Sequence, residues 1–145
     1  MENLLISEVL QKVSNAKTRA EKIELLQKYN TPALRSILIW NYDDSVISMV
    51  PEGDVPYNKN DAPSGTEHTR LEKEHRILFN FVKGGNDNLP RIQRENMFIQ
   101  MLEGLHESEA EVVILTKDKG LQSKYRITKA VVEEAFPEIQ WGGRS

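Results

Sequence analysis

Five positive charges and a single acid lie between residues 117 and 129: Lys117, Lys119, Lys124, Arg126 and Lys129, against Asp118. A helix predicted over Ser108 to Asp118 stops at Gly120, and Thr128 can cap a second short helix running into Ala135-Phe136-Pro137. A helix start leaves backbone N–H groups unpaired and carries partial positive charge, so cations beside one can hold a phosphate. A comparable set lies near the N-terminus, where Lys12, Lys17, Arg19, Lys22 and Lys28 are interleaved with Glu21 and Glu24. Lys17 and Arg19 flank Thr18, which heads the capping box Thr18-Arg19-Ala20-Glu21. Two such starts on one surface suit a duplex backbone gripped by shape rather than by base sequence. The candidate contacts are Lys17, Arg19, Lys22, Lys119, Lys124, Arg126, Thr128 and Lys129. The plain alternative is that these lysines decorate exposed helix ends.

Other constellations carry less. Glu72 precedes His75, and Glu103 precedes His106, by the three positions that di-iron helical bundles use. Gly104 interrupts the second pair, His106 falls at a helix end, and no inward-facing glutamates complete the set, so solvated charged faces are expected instead. His68, His75 and His106 lack an i, i+4 histidine partner, and no G-x-S-x-G elbow is present. Gly84-Gly85 has no Walker-type lysine after it and reads as a helix terminator. The residues compel no enzyme, no cofactor and no metal. Tyr57 and Tyr125, in polar stretches, are the aromatics available for contact. Trp40, Tyr42, Phe79, Phe81 and Phe98 are expected in the core.

The elements that must position these cations are helical. Leu4, Leu5, Val9, Leu10 and Val13 recur at helical spacing, and the Thr18 box opens a second helix with Ala20, Ile23 and Leu26. Thr31-Pro32 starts a third, reaching about Tyr42, whose apolar residues on several sides make it central. From residue 43 to 67 the period is lost; Val46, Ile47 and Val50 precede Pro51, and Pro56, Pro63, Gly53 and Gly65 follow. Thr69 to Val82 is predicted as the fourth helix and Pro90 starts the fifth, turning Ile92, Phe98, Met101, Leu102 and Leu105 inward. Ser108-Glu109-Ala110-Glu111 forms a second capping box opening the sixth. The expected fold is a single all-α domain over 1–145, a compact bundle of about seven short helices. A long proline-containing loop over 43–67 separates the third from the fourth, and a short tail covers 141–145.

Length and composition fit that reading. The 145 residues are 39% hydrophobic and 28% charged, as in an ordinary soluble globular domain. No apolar run approaches the roughly 18 residues that a membrane span needs, and the first residues lack a secretory pattern, so a cytoplasmic protein is expected. With no cysteine there are no disulfides or thiolate metal sites. The net charge of −3 works against nucleic acid, and the balance by thirds is 0, −1 and −2, so DNA contact must rest on local clusters.

Two stretches resemble a known family. Leu5 to Gly53 runs from an apolar helix through Asn15-Ala16-Lys17-Thr18 and a Lys-Ile-Glu-Leu-Leu-Gln-Lys helix to Leu34-Arg35-Ser36-Ile37-Leu38 and an aromatic-bearing turn before a proline. Glu111 to Pro137 runs from an apolar helix through a Lys/Gly turn and a capped helix to Phe136-Pro137. Both resemble the N-terminal DNA-binding domain of the ATP-dependent DNA ligases of T-even-like bacteriophages, an all-α bundle that grips duplex DNA mainly through phosphates. The whole chain is also similar to an uncharacterised small protein family of marine T-even-like cyanophages, through Leu-Arg-Ser-Ile, Pro51 to Tyr57 and Ala-Phe-Pro. The ligase signature Lys-x-Asp-Gly-x-Arg is absent, and Lys117-Asp118-Lys119-Gly120 does not fit it. The resemblance therefore implies binding without ligation, with Lys17, Arg19, Lys124, Arg126, Thr128 and Lys129 as backbone contacts. The expectation is a non-catalytic phage accessory acting on duplex DNA in the infected bacterial host. The alternative is a protein–protein interaction module that modulates a host enzyme, assists a phage polymerase or belongs to the virion.

Overall fold

A computed structural model of the chain describes residues 4–59 and 69–144. Among them are seven α-helices: α1 (Ile6–Asn15), α2 (Arg19–Lys28), α3 (Pro32–Tyr42), α4 (Leu71–Glu74), α5 (Arg91–Gly104), α6 (Glu107–Lys117) and α7 (Lys129–Ala135). A 3-10 segment, His75–Phe81, continues α4, and a 3-10 turn, Leu121–Ser123, follows α6. No described helix is long and apolar enough to cross a membrane.

Threonine caps start three of the helices. Glu21 N–H donates to Thr18 Oγ1 at 3.2 Å, Leu34 N–H to Thr31 Oγ1 at 3.2 Å and Val131 N–H to Thr128 Oγ1 at 3.3 Å. Pro32 adds a pre-set φ at the first position of α3. Two other starts are served from a distance. Glu109 of α6 is wholly buried, and its carboxylate accepts Ile6 N–H at 2.8 Å and Leu71 N–H at 3.0 Å. One side chain thus ties the starts of α1 and α4 to α6.

α3 lies at the centre, with Leu34, Ile37 and Leu38 fully buried against α4, α6 and the 3-10 segment. α2 packs between α1 and α7, and α5 lies along α6. Phe81 meets Phe98 edge-on, with ring centres 5.1 Å apart. Within the expected loop, residues 47–49 pair with 81–83: Met49 N–H donates to Phe81 O at 2.7 Å and Lys83 N–H to Ile47 O at 2.8 Å. The last part of that loop, 60–67, and His68 lie outside the described residues.

Several expected details differ. The fourth helix makes only one α turn before tightening to 3-10, where every third residue is eclipsed. Leu78 and Phe81 therefore share the buried ridge, and Phe79, expected in the core, is 50% exposed. The first capping residue of α6 is His106 rather than Ser108: its ring Nδ1 accepts Ser108 N–H at 3.1 Å. The Ser108 hydroxyl is held by Ser7 Oγ at 2.7 Å and His106 Nδ1 at 2.8 Å, so it cannot cap. Ile92 is 73% exposed, because Arg94 takes the inward position on α5. Arg94 Nε donates to Asn80 O at 2.8 Å, and its NH2 to Asn86 O at 2.9 Å.

Candidate nucleic-acid interface

The beginning of α2 and the segment leading into α7 form one surface. Lys22 Nζ donates to Arg126 O at 2.5 Å and to Ser14 O at 3.4 Å, while Arg126 N–H donates to Ser14 Oγ at 2.9 Å. Along the helices, Arg19 NH2 reaches Ala130 O at 3.5 Å and Gln27 Nε2 reaches Ala135 O at 3.2 Å. Basic groups more than a hundred positions apart in the chain are thereby brought side by side.

Their availability differs. The Lys17 and Arg126 side chains are exposed, and no carboxylate among the described residues forms an ion pair with either. Lys129 is half-buried, its Nζ 5.1 Å above the Trp141 ring. Arg19 pairs with Glu134 at 3.5 Å, both side chains being more than half exposed, a pairing that contributes about 1 kcal/mol at most. Lys124 pairs closely with Glu111, whose hydrogen bond raises the lysine pKa against the opposing effect of partial burial. Lys22 serves as a tether between segments. Thr128 caps α7 through its hydroxyl, as expected.

Two lysines of the C-terminal cluster are spent elsewhere. Lys119 Nζ donates to Trp40 O at 2.6 Å and Asp43 O at 2.8 Å, closing the end of α3. Burial lowers its pKa, an effect that Asp43 and Asp44 partly offset. The Lys117 side chain is fully buried; its Nζ bonds Gly53 O at 2.8 Å and Asp118 Oδ1 at 2.9 Å. Tyr125, expected as an exposed contact, is 2% exposed, and burial raises its pKa. Tyr57 is half-buried against the core. Acids also share the surface, with Glu21 accepting Lys17 N–H at 3.3 Å and Glu133 exposed on α7.

The Glu-x-x-His pairs are likewise engaged locally. His75 Nδ1 lies 2.8 Å from Glu72 O, His106 caps α6, and Glu103 accepts Asn58 N–H at 2.8 Å. Among the described residues no three His, Asp or Glu side chains gather as a metal ligand set. Sequence reasoning did not single out Glu109, Arg94 or Asp43, the buried charges that join elements. Only the Ser45 contacts of Asp43 are local; the partners through which the three join elements lie 8 to 103 positions away.

A family model described as a family of unknown function (DUF6433) matches residues 9–123, and the chain belongs to that family. The matched span includes Lys17, Arg19, Lys22 and Lys119, and ends before Lys124, Arg126, Thr128 and Lys129. No curated protein and no solved structure matches the chain.

Proposed function

We propose that this DUF6433 protein is a non-catalytic binding module that holds duplex DNA by its phosphates across the α2–α7 surface. It would serve phage replication, repair or transcription as an accessory in the host cytoplasm. The observation that carries the reading is the Lys22–Arg126 tie, which makes one surface of two cationic segments. The resemblance of Leu5–Gly53 and Glu111–Pro137 to the phage ligase DNA-binding domain supports it. The footprint is narrower than the sequence cluster: Lys17, Arg126 and Lys129 contact directly, while Arg19 and Lys124 exchange exposed carboxylate partners for phosphate. Lys22 and Thr128 hold the surface together, and Lys119 is no part of it.

Three to five neutralised phosphates give a log–log salt slope between about −2.7 and −4.5, because each contributes roughly −0.9 on duplex DNA. Fluorescence anisotropy with a labelled duplex at several salt concentrations measures it. Changing Lys124 and Arg126 together to Glu is expected to abolish binding while circular dichroism stays unchanged. Absent or salt-insensitive binding by the unaltered protein would overturn the reading.

Exposed apolar side chains favour a second reading, a protein–protein interaction module. Phe79 is 50% and Ile47 45% exposed, on segments that pair with one another. Purification from infected cells with and without nuclease separates the two, since a protein partner is retained after the nucleic acid has been digested.

A further inference from the structure

Away from the α2–α7 surface, a cleft of about 410 Å³ opens between α3, the 3-10 segment and the C-terminal tail. Its floor is apolar, formed by Ile39, Trp40, Val46, Leu78 and Val82. The half-exposed ring of Phe79 makes one wall. Arg76, Lys83 and Arg144 stand around it, and no carboxylate is among its described lining residues, although acids outnumber bases 22 to 19 in the chain. Arg76 and Lys83 are exposed, and no acid among the described residues is paired to them, while Arg144 is anchored by Asp43 Oδ2 at 2.8 Å.

We propose that this cleft docks an acidic peptide segment of a partner protein, one that presents a bulky apolar side chain flanked by carboxylates. The charge is complementary: an anionic protein keeps a cationic rim around an apolar floor, which steers an acidic ligand and excludes a basic one. The volume takes one or two large side chains, the size of anchor on which such interfaces depend. The wall is also preorganised. A Cβ on Gly85 would lie 1.9 Å from Phe79 O, so the Gly84-Gly85 turn packs directly on the Phe79 backbone, and Gly84 takes a φ of +89° that favours glycine. Ladder bonds from Met49 and Lys83 fix the strand-like edge beside it. A rigid site spends little binding energy on ordering itself. The floor argues against nucleic acid, because it is mostly aliphatic and Trp40 is 3% exposed with its indole N–H given to Ser48. Phe79 is the one half-exposed carbocyclic ring among the cleft's described lining residues, short of the successive stacking platforms that single strands use.

The test is fluorescence polarisation on the full chain with four labelled probes. They are a short Asp/Glu-rich peptide with a central Leu and Phe, the same peptide with both changed to Ser, a Lys-rich counterpart that keeps the Leu and Phe, and oligothymidylate. Saturable binding of the first probe alone is expected. Phe79→Ser, and Arg76→Glu with Lys83→Glu, should each weaken it about tenfold or more. These side chains are exposed, so circular dichroism should not change, and neither variant should alter duplex binding. No saturation with the acidic amphipathic peptide, equal binding of its serine version or of oligothymidylate, or full binding by both variants would overturn the proposal.

Discussion

Glu109 and Asp43 show how much a single buried carboxylate holds here. Each Glu109 oxygen accepts a helix-start N–H, and in Glu109→Ala both donors stay buried without an acceptor. An unpaired buried polar group costs about 1–3 kcal/mol, so the variant is expected to lose roughly 2–5 kcal/mol in urea unfolding, with Glu109→Gln intermediate. Asp43 is 2% exposed, and burial alone would disfavour its charge. Hydrogen bonds from the Ser45 hydroxyl, the Gly142 and Ser45 amides and Arg144 outweigh burial and hold its pKa at about 2 instead of 3.8. With the folded value below the unfolded one, the stabilisation is complete above about pH 4 and drains as pH falls toward 2. Protection of the Gly142 and Arg144 amides, taken relative to the intrinsic exchange rate at each pH, should therefore fall over that interval, and in Asp43→Asn it should be low already at neutral pH.

Helix ends carry the next level of argument. α6 finishes in a Schellman motif, with Gly120 N–H on Leu115 O at 2.8 Å and Lys119 N–H on Thr116 O at 2.9 Å. The left-handed position that usually takes glycine is Lys119, at φ +57°. Its ammonium closes the C-terminal carbonyls of α3, so the strained residue links two helix ends. Lys119→Gly would relieve about 1 kcal/mol of backbone strain yet forfeit two charged hydrogen bonds of about 1.5–3 kcal/mol each. A net destabilisation by urea unfolding is expected, although glycine suits the backbone better. The same level shows what could be read beforehand. Thr18, Thr31-Pro32 and Thr128 were legible as starts, because a cap and its N–H lie within three residues. The α6 start was not, since His106 is an uncommon cap and distant Ser7 holds the Ser108 hydroxyl; nor were the 3-10 tightening and the outward turns of Phe79 and Ile92, where Met49, Asn80 and Asn86 make the tertiary bonds. Lys117 and Lys119 looked like members of a basic patch for a related reason: charge is visible in sequence, whereas the carbonyls that consume it are not.

For the molecule as a whole, cations divide between holding the fold and facing solvent, and the segment 124–129 lies on that boundary. Tyr42 of α3 anchors it, its hydroxyl donating to Ile127 O at 2.6 Å. Burial pushes the Tyr42 pKa up to about 12 from 10.0, so its contribution is full below about pH 10 and is lost as pH rises through 12. Tyr42→Phe should lose less stability over that alkaline range than the unaltered protein, as followed by near-ultraviolet circular dichroism. The 103 positions separating Ile6 from its acceptor Glu109 also set a timetable at the ribosome. α1 leaves the exit tunnel before α6, and although α2 soon packs on it, its Ile6 amide has no acceptor and its face toward α6 no cover until α6 has followed. α2 waits longer still for α7. Nascent chains stalled before residue 109 should consequently be strong clients of hydrophobe-binding chaperones, and release to full length should end that dependence.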